Sequence, residues 1–246
     1  MRILLVFLYV LGFFLIEFGK SKRINNMISE NPKHAYQLGN DIVRKKFKNV
    51  LRISGVTIIT KGLDNLPDKT ALYVGNHRSY FDILTTHVTI NRPVGFIAKA
   101  EMIKIPFLTQ WMKNIGCLFL DRKDNKKALK TILEGVKMLK EEQVSLYIFP
   151  EGTRGHTDEL APFKKGSFKM AEKSGVPIVP IGIANSDMVF ENNGWFRKIR
   201  STKVYLNIGE PIYTKSLGDE EKKHIDVYIQ KVVAELIQEL KTEYSL

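Results

Sequence analysis

The chain has 246 residues, 44% of them hydrophobic and 26% charged, which is the composition of a folded protein with room for a sizeable core. Its single cysteine, Cys117, excludes an intrachain disulfide and any zinc site built from several cysteines. The 38 Lys and Arg residues exceed the 26 Asp and Glu residues to give a net charge of +12, which predicts an anionic partner, either a nucleic acid or a membrane surface.

The N-terminal segment combines a long apolar run with basic residues. Residues 3–16, ILLVFLYVLGFFLI, carry no charged side chain. A helix of this run extended to Phe18 would rise ~24 Å, which is short of the ~30 Å hydrocarbon core of a bilayer. A cleaved secretory signal is disfavoured, because Lys20, Lys22 and Arg23 follow the run and no small-residue cleavage site does. We therefore predict an uncleaved membrane anchor that either spans the bilayer or dips into one leaflet.

A basic amphipathic helix is predicted next, over residues 35–53. Its apolar residues recur at helical spacing: Leu38, Ile42, Val43, Phe47, Val50 and Leu51. Beside the apolar run we interpret this helix as an interfacial element, and a core helix with a solvated basic face is the alternative. The predicted organisation is a membrane anchor of residues 1–53 followed by an α/β domain of residues 54–246.

From residue 57 onward, short apolar runs alternate with segments of helical periodicity. The candidate strands are VTIIT, ALYVG, VGFIA, CLFLD, SLYIF, PIVPIGI and VYLNI, and the clearest helical patterns cover residues 129–139 and 225–240. This alternation predicts an α/β fold with a mixed, largely parallel sheet flanked by helices. In such sheets the chemistry gathers at the carboxyl ends of the strands.

The stretch YVGNHRSYFD places a histidine and an aspartate directly after the second candidate strand. Ser79 can cap the helix that follows, and Asp82 would then take the acidic position of a capping box. The same carboxylate can hold the imidazole of His77 in one tautomer, as the acid does in a hydrolase triad. The pair alone is weak evidence for catalysis. The other histidines, at positions 34, 87, 156 and 224, have no acid at this offset and are interpreted as surface or packing residues.

Two further loops carry residues suited to an anion. Arg122 follows the strand CLFL, and the loop FPEGTRG follows SLYIF. The glycines of this second loop let backbone N–H groups converge, while Arg154 offers a fork that suits phosphate. The spacing of a nucleotide-binding P-loop and the G-x-S-x-G elbow of serine hydrolases are both missing from the sequence, which disfavours those two classes of enzyme.

Taken together, NHRSYFD, IGCLFLDR, FPEGTR and VPIVPIGI resemble the four ordered sequence blocks of the glycerolipid acyltransferase family, and most closely its 1-acyl-sn-glycerol-3-phosphate (lysophosphatidate) acyltransferases. The first block departs from the commonest family wording, NHQSxxD, only at Arg78. The resemblance implies transfer of a fatty acyl group from an acyl thioester to the sn-2 hydroxyl of lysophosphatidate, giving phosphatidate for phospholipid synthesis.

The resemblance also implies a role for each matched residue. His77 would be the general base, and Asp82 would orient it. The remaining implied sites are Arg122, Arg154 and Lys99 for the substrate phosphate, Glu151, Gly152 and Thr153 for the shape of the acceptor site, and Pro177 and Pro180 for a strand beside the acyl chain. Packing explains the two prolines equally well. No metal or cofactor is implied, because the donor, acyl-CoA or acyl carrier protein, is a substrate.

The predicted partners are an anionic phospholipid bilayer, lysophosphatidate and the acyl thioester donor, with no nucleic acid, at the cytoplasmic face of the cell membrane. The cluster WFRKIR, residues 195–200, is a second candidate membrane contact, and an exposed hairpin is equally compatible with it. Three alternatives stay open: acylation of glycerol 3-phosphate or another lysophospholipid, a non-catalytic binder of anionic lipid, and a nucleic-acid binder, which leaves the apolar N-terminus unexplained.

Overall fold

A computed structural model of the chain describes residues 1–155, 157, 159–193 and 198–246. The helices are α1 (Arg2–Ile16), α2 (Phe18–Met27), α3 (Pro32–Ser54), α4 (Phe81–Ile90), α5 (Pro106–Asn114), α6 (Asn125–Lys140), α7 (Lys169–Ser174), α8 (Asp219–Lys223) and α9 (Ile225–Tyr244). The strands are β1 (Val56–Lys61), β2 (Leu72–Gly75), β3 (Val94–Lys99), β4 (Leu118–Leu120), β5 (Ser145–Ile148), β6 (Ile178–Ala184) and β7 (Thr202–Ile208). Each candidate strand of the sequence corresponds to one of these strands.

The seven strands form one sheet within the described part of the chain, in the order β1-β7-β6-β2-β5-β3-β4. Strands β2 to β6 run parallel to one another. Strand β7 pairs antiparallel with β6 and parallel with β1, so β7 and β1 run in the opposite direction. Because parallel strands end at the same edge of a sheet, the loops after β2, β3, β4, β5 and β6 meet at one edge, which we call the carboxyl rim. The predicted largely parallel α/β sheet is confirmed.

The central strands are buried on both faces, which explains why their sequences are continuously apolar. Every residue of β2, β5 and β6 is buried. Alternate side chains enter two cores: Tyr73 and Tyr147 lie in the core shared with α3, α4 and α5, while Leu72 and Leu146 lie in the core shared with α6 and α9. Burying a large apolar side chain contributes roughly 1.5–3 kcal/mol, so these two layers hold the rim in place.

Helix α3 is held in the domain by a buried polar network centred on Asn40. The Asn40 amide group donates to the carbonyls of Tyr36, at 2.8 Å, and of Ile115, at 3.3 Å. Its oxygen accepts the N–H of Val94 and the Nε2–H of His87, both at 2.9 Å. Val43, Val50 and Leu51 of the apolar stripe are buried, whereas Leu38 is exposed. The core alternative thus accounts for part of the stripe, and the interfacial interpretation of residues 35–53 stays a prediction, because an amphipathic pattern fits a protein core as well as a membrane. The division of the chain after residue 53 stays a prediction.

The same network predicts how stability responds to acid. Burial, and next the charge of Arg44, lower the pKa of His87 to about 3. An unfolded histidine takes up its proton near pH ~6.5, so between these values the unfolded state binds more protons than the folded state. The free energy of unfolding should then fall by up to ~1.4 kcal/mol for each pH unit of acidification.

We expect His87→Gln, which keeps a donor for Asn40, to lose less stability than the wild type between neutral and mildly acidic pH. Urea unfolding in detergent at the two pH values measures the difference. Identical acid sensitivity of the two proteins would show that His87 titrates normally in the folded state.

Helices α1 and α2 pack on α3 and α5 but leave an apolar stripe uncovered. The Tyr9 hydroxyl accepts a hydrogen bond from Asn49 at 2.7 Å, and the rings of Phe13 and Trp111 lie 4.8 Å apart. No residue of α1 is buried, and its exposed residues at helical spacing are Leu4, Phe7, Leu8, Leu11 and Leu15. Between α1 and α2 the chain bends by 58°.

The bend lies at Glu17, whose carboxylate pairs with Lys20 at 2.9 Å and with Lys46 at 3.0 Å. Among the described residues no single helix is long and apolar enough to cross a membrane, and α1 and α2 reach that length and composition only as a bent pair.

Candidate active site

His77 and Asp82 come together at the carboxyl rim, in the turn that joins β2 to α4. The imidazole Nδ1 lies 2.9 Å from Asp82 Oδ2. Because a carboxylate oxygen only accepts hydrogen bonds, Nδ1 carries a proton, and in the neutral imidazole Nε2 is then the nitrogen with a free lone pair. The imidazole is only 16% exposed, so it is held in a partly dry setting with a basic nitrogen available.

Asp82 is fixed by the backbone of the same turn. Its side chain is fully buried, and Oδ2 also accepts the N–H groups of Arg78, at 2.7 Å, and Ser79, at 2.8 Å. The Ser79 hydroxyl oxygen in turn accepts the N–H of Phe81 at 3.0 Å. Ser79 and Asp82 thus form the two reciprocal bonds of a capping box, except that the serine oxygen accepts the N–H two residues later and not three residues later. One carboxylate oxygen thus both starts the helix and orients the histidine.

The loop after β5 holds His77 from the other sides. The imidazole stacks on the Phe149 ring, with 4.0 Å between centroids and 16° between planes. The His77 N–H donates to Glu151 Oε1 at 2.7 Å, and its carbonyl accepts the N–H of Gly155 at 2.8 Å. Glu151 Oε2 accepts the N–H of Ala161 at 3.1 Å. Glu151 therefore shapes the site by joining the histidine turn to its own loop.

Burial raises the pKa of Glu151, and the charge of Asp82 adds to this effect. The hydrogen bonds from the His77 and Ala161 backbones act in the opposite direction, because they favour the carboxylate. A carboxylate that accepts two backbone bonds in a buried position serves as a rigid acceptor.

Gly152 allows two cations to approach the backbone closely. Its φ of +80° is in the left-handed region that favours glycine, and its carbonyl accepts a hydrogen bond from Arg122 Nη1. A Cβ atom at position 152 would lie 2.7 Å from Arg122 Nη1 and 2.9 Å from Lys164 Nζ. The guanidinium and the ammonium group therefore converge on the same glycine.

Lys164 was not among the residues predicted from the sequence. Its N–H donates to the Pro150 carbonyl at 3.1 Å, which brings this part of the loop back to the end of β5. In the sequence, the Lys-Lys pair in FKKGS is typical of a solvated loop. Only the fold shows that the first of these lysines, Lys164, faces Arg122. Burial lowers the pKa of Arg122, while the charge of Glu101 opposes that shift.

An amphipathic cavity of about 310 Å³ adjoins these two cations. Arg122, Gly152 and Lys164 line its polar part, and its apolar lining includes Ile97, Leu120, Ile132, Ile148, Phe149 and Met170. Phe149, which lines the cavity, also stacks on the imidazole of His77, so a single ring connects the cavity to the histidine. A ligand with an anionic group and an aliphatic part matches this lining.

Arg154 lies on the histidine turn and not against Gly152. Its Nη1 is 3.3 Å from Glu191 Oε1, and its guanidinium stacks 3.7 Å above the Tyr80 ring. Glu191 also accepts the Ser79 hydroxyl at 2.7 Å and the Tyr80 N–H at 2.9 Å. Sequence reasoning missed Glu191, although it follows β6 at the carboxyl rim and could have been found by extending the survey to that strand.

The remaining predicted residues divide into two groups. Lys99 ends β3 at the carboxyl rim and is exposed, and Thr153 is exposed beside Gly152. Pro177 precedes the amino end of β6, at the opposite edge of the sheet, and Pro180 is buried in the middle of that strand. Both positions are compatible with the packing alternative, and a role of the prolines beside the acyl chain stays a prediction. In the described residues no cluster of His, Cys, Asp and Glu could hold a metal ion.

A family model for acyltransferases matches residues 57–184, which is just over half of the chain and includes His77, Arg122 and Glu151. The chain belongs to the acyltransferase family.

Several relatives of this acyltransferase carry the name 1-acyl-sn-glycerol-3-phosphate acyltransferase. This chain is 32% identical over 204 residues to the 1-acyl-sn-glycerol-3-phosphate acyltransferase of Saccharomyces cerevisiae. The match covers 81% of this chain and 65% of the yeast protein. For the enzymes of that name from Borreliella burgdorferi and Escherichia coli the identities are 30% and 28%, covering 81% and 87% of this chain and 79% and 84% of theirs. The crystal structure of the 1-acyl-sn-glycerophosphate (LPA) acyltransferase PlsC from Thermotoga maritima gives a TM-score of 0.75 at 26% identity over 97% of both chains. The predicted resemblance is confirmed.

Arg78, the one departure of this acyltransferase from the usual wording of the first block, forms an ion pair. Its Nη2 contacts Asp187 Oδ2, and both side chains are largely buried. Asp187 lies in the loop after β6 and also accepts a hydrogen bond from Asn192 at 2.6 Å. The arginine thus joins the histidine turn to the β6 loop, as Glu191 does a few residues later. Residues 195–197 of the WFRKIR cluster lie outside the described part of the chain.

Proposed function

We propose that this acyltransferase transfers a fatty acyl group from an acyl thioester, acyl-CoA or acyl carrier protein, to the sn-2 hydroxyl of lysophosphatidate. The observation that carries the proposal is an oriented histidine base beside an amphipathic cavity that two cations line. Lysophosphatidate has the two matching parts, a phosphate and an aliphatic chain. The names of the relatives support the same acceptor.

The proposed reaction needs no covalent intermediate on the protein. His77 Nε2 accepts the proton of the sn-2 hydroxyl while the oxygen attacks the carbonyl carbon of the thioester. Asp82 stabilises the imidazolium that forms, through the Nδ1–H bond. The carbon–sulfur bond then breaks, and the leaving thiolate takes the proton back from His77. The histidine is restored, and the products are phosphatidate and a free thiol.

Arg122 and Lys164 are the proposed ligands of the acceptor phosphate. Both reach the same position above Gly152, and hydrogen bonds from charged donors to phosphate are among the strong ones. Lys99 and Arg154 add positive charge at the rim. The charge of Arg154 is already partly balanced by Glu191, so we assign it a smaller share of phosphate binding.

The test is an assay of purified protein in detergent, with lysophosphatidate and palmitoyl-CoA or palmitoyl acyl carrier protein. Phosphatidate formation supports the proposal, and the two donors compared side by side identify the thioester. Glycerol 3-phosphate serves as the parallel acceptor, and acylation of that compound alone would contradict the choice of lysophosphatidate. Binding to anionic vesicles without turnover of any acceptor would identify a lipid-binding protein.

We also propose that α1 and α2 enter the cytosolic leaflet without crossing the bilayer. The uncovered apolar stripe of α1, its short length and the bend after it support this arrangement. A helix this short spans only where the bilayer thins locally. In contrast to the two-helix anchor expected from residues 1–53, α3 contributes to the protein core.

We expect deletion of residues 1–16 to release the protein from membranes, whereas high salt should not, because apolar burial supplies most of the binding. Activity on bilayer lysophosphatidate should fall more than activity on substrate dispersed in detergent. Retention of the deletion variant on washed membranes would contradict the role of α1. The leaflet model has its own test in Ile3→Cys combined with Cys117→Ala: labelling by an impermeant thiol reagent from outside intact cells would show that α1 crosses.

A further inference from the structure

A second apolar surface lies at the carboxyl rim, outside the cavity and the N-terminal helices. Residues 103–107, Ile-Lys-Ile-Pro-Phe, are all exposed, and we call them the rim loop. The exposed fractions of Ile103, Ile105 and Phe107 are 51%, 49% and 54%. A single exposed apolar residue is ordinary, but three within five positions form a patch.

The rim loop has a fixed shape. Its first residues end the short 3₁₀ helix Ala100–Lys104. The Thr109 hydroxyl donates to the Met102 carbonyl, and the Thr109 N–H donates to the Ile105 carbonyl, both at 2.8 Å. The apolar side chains are therefore held outward by an ordered backbone.

The rim loop connects the candidate active site to the N-terminal helices. Glu101, just before it, is close enough for its charge to act on Arg122. At its other end the Phe107 ring meets the Phe18 ring of α2 edge to face, with 6.1 Å between centroids. Phe18 is itself 55% exposed, and Ile16 is 80% exposed. Exposed apolar side chains thus continue from α1 to the edge of the site.

The charges around the rim loop are mostly positive. Lys104 lies within it, and Lys99 and Lys113 flank it, against the one negative charge of Glu101. In the described part of the chain none of these three lysines forms an ion pair with a protein carboxylate. Apolar side chains surrounded by lysines match the headgroup region of an anionic bilayer.

We propose that the rim loop inserts into the headgroup region of an anionic phospholipid bilayer and holds the carboxyl rim against the membrane. The bilayer is the proposed occupant because the patch continues the uncovered stripe of the N-terminal helices and carries a complementary charge. The inference rests on the proposed function for the lipid nature of the acceptor. With the loop in the interface, lysophosphatidate reaches Arg122 and His77 by lateral diffusion.

A fluorescent label can report insertion directly, because the one native cysteine is buried and its pKa is raised to about 12, which keeps its thiol unreactive. The full chain with Ile105→Cys carries an environment-sensitive fluorophore, and Leu63→Cys is the matched control. Leu63 is 51% exposed and follows β1, which runs against β2, so it lies at the opposite edge of the sheet.

With vesicles of phosphatidylcholine and phosphatidylglycerol, the label at position 105 should brighten and be quenched by brominated phosphatidylcholine, while the label at position 63 should not change. An unchanged label at position 105 would overturn the proposal. The proposal would also be overturned if the fluorescence at position 105 changed with protein concentration in detergent without vesicles, because that result would identify a second copy of the chain as the occupant.

Serine variants link the contact to turnover. We expect Ile103→Ser/Ile105→Ser, and separately Phe107→Ser, to bind vesicles about tenfold more weakly than Leu63→Ser. Activity on lysophosphatidate in vesicles should fall with binding, and activity on a short-chain, monomeric lysophosphatidate should equal that of the wild type. Variants that bind vesicles like Leu63→Ser would overturn the rim-loop contact alone. A wild type inactive on both acceptors would instead refute the proposed function.

Discussion

His77→Ala is expected to lower acyl transfer by at least ~10²–10⁴-fold, the usual contribution of a general base. The variant removes an imidazole that is bonded to the buried Asp82 through Nδ1 and whose ring stacks on the cavity residue Phe149. It leaves the backbone bonds of this turn in place, because the His77 N–H to Glu151 and the Gly155 N–H to the His77 carbonyl do not involve the side chain. The measurement is the initial rate of phosphatidate formation from lysophosphatidate and the acyl thioester.

Two controls separate loss of the base from loss of the fold. His224→Ala removes an exposed histidine in the turn between α8 and α9 and should keep wild-type turnover. Thermal unfolding of His77→Ala should resemble that of the wild type, since the lost imidazole is bonded to one carboxylate and packed on one ring. A variant that keeps more than a tenth of wild-type turnover would remove His77 from the role of base.

The local features of this protein were predictable from sequence because their causes are local. Continuous apolar runs predicted β2, β5 and β6, and the structure buries all three on both faces. The position of Asp82 in a capping box depends only on residues within one turn of helix. The parallel sheet followed from strand and helix alternation, and it brought His77 and Arg122 to one rim without any information on contacts.

The features that were missed or left open depend on contacts between distant residues. The apolar stripe of α3 has the same pattern whether it meets lipid or protein, and the helix is tied to the domain by the pairing of Asn40 with His87, 47 residues later. Glu191 joins two loops across 112 residues of sequence from Ser79. Lys164 meets Arg122 only because β5 and β4 both lie beside β3 in the sheet and the loop after β5 returns to the rim where β4 ends. No periodicity in the sequence reports such pairings.

Arg122→Ala is expected to raise the KM for lysophosphatidate roughly ten- to a hundredfold and to leave the KM for the acyl donor little changed. A charge-assisted hydrogen bond contributes about 1.5–3 kcal/mol, which corresponds to that range. Lys164→Ala should act in the same direction, since its ammonium group reaches the same side of Gly152. If the two cations bind one phosphate, the double variant should lose less than the product of the two single effects.

The control for net charge is Lys69→Ala, which removes one positive charge from an exposed residue at the opposite edge of the sheet. The control for mechanism is a monoacylglycerol acceptor, which has the glycerol hydroxyl and the acyl chain but no phosphate. Arg122 also bonds to the Gly152 carbonyl, so a purely structural role would slow acylation of both acceptors equally. A phosphate role predicts that the wild type and Arg122→Ala differ on lysophosphatidate and converge on monoacylglycerol. Equal losses on both acceptors would place Arg122 outside the phosphate site.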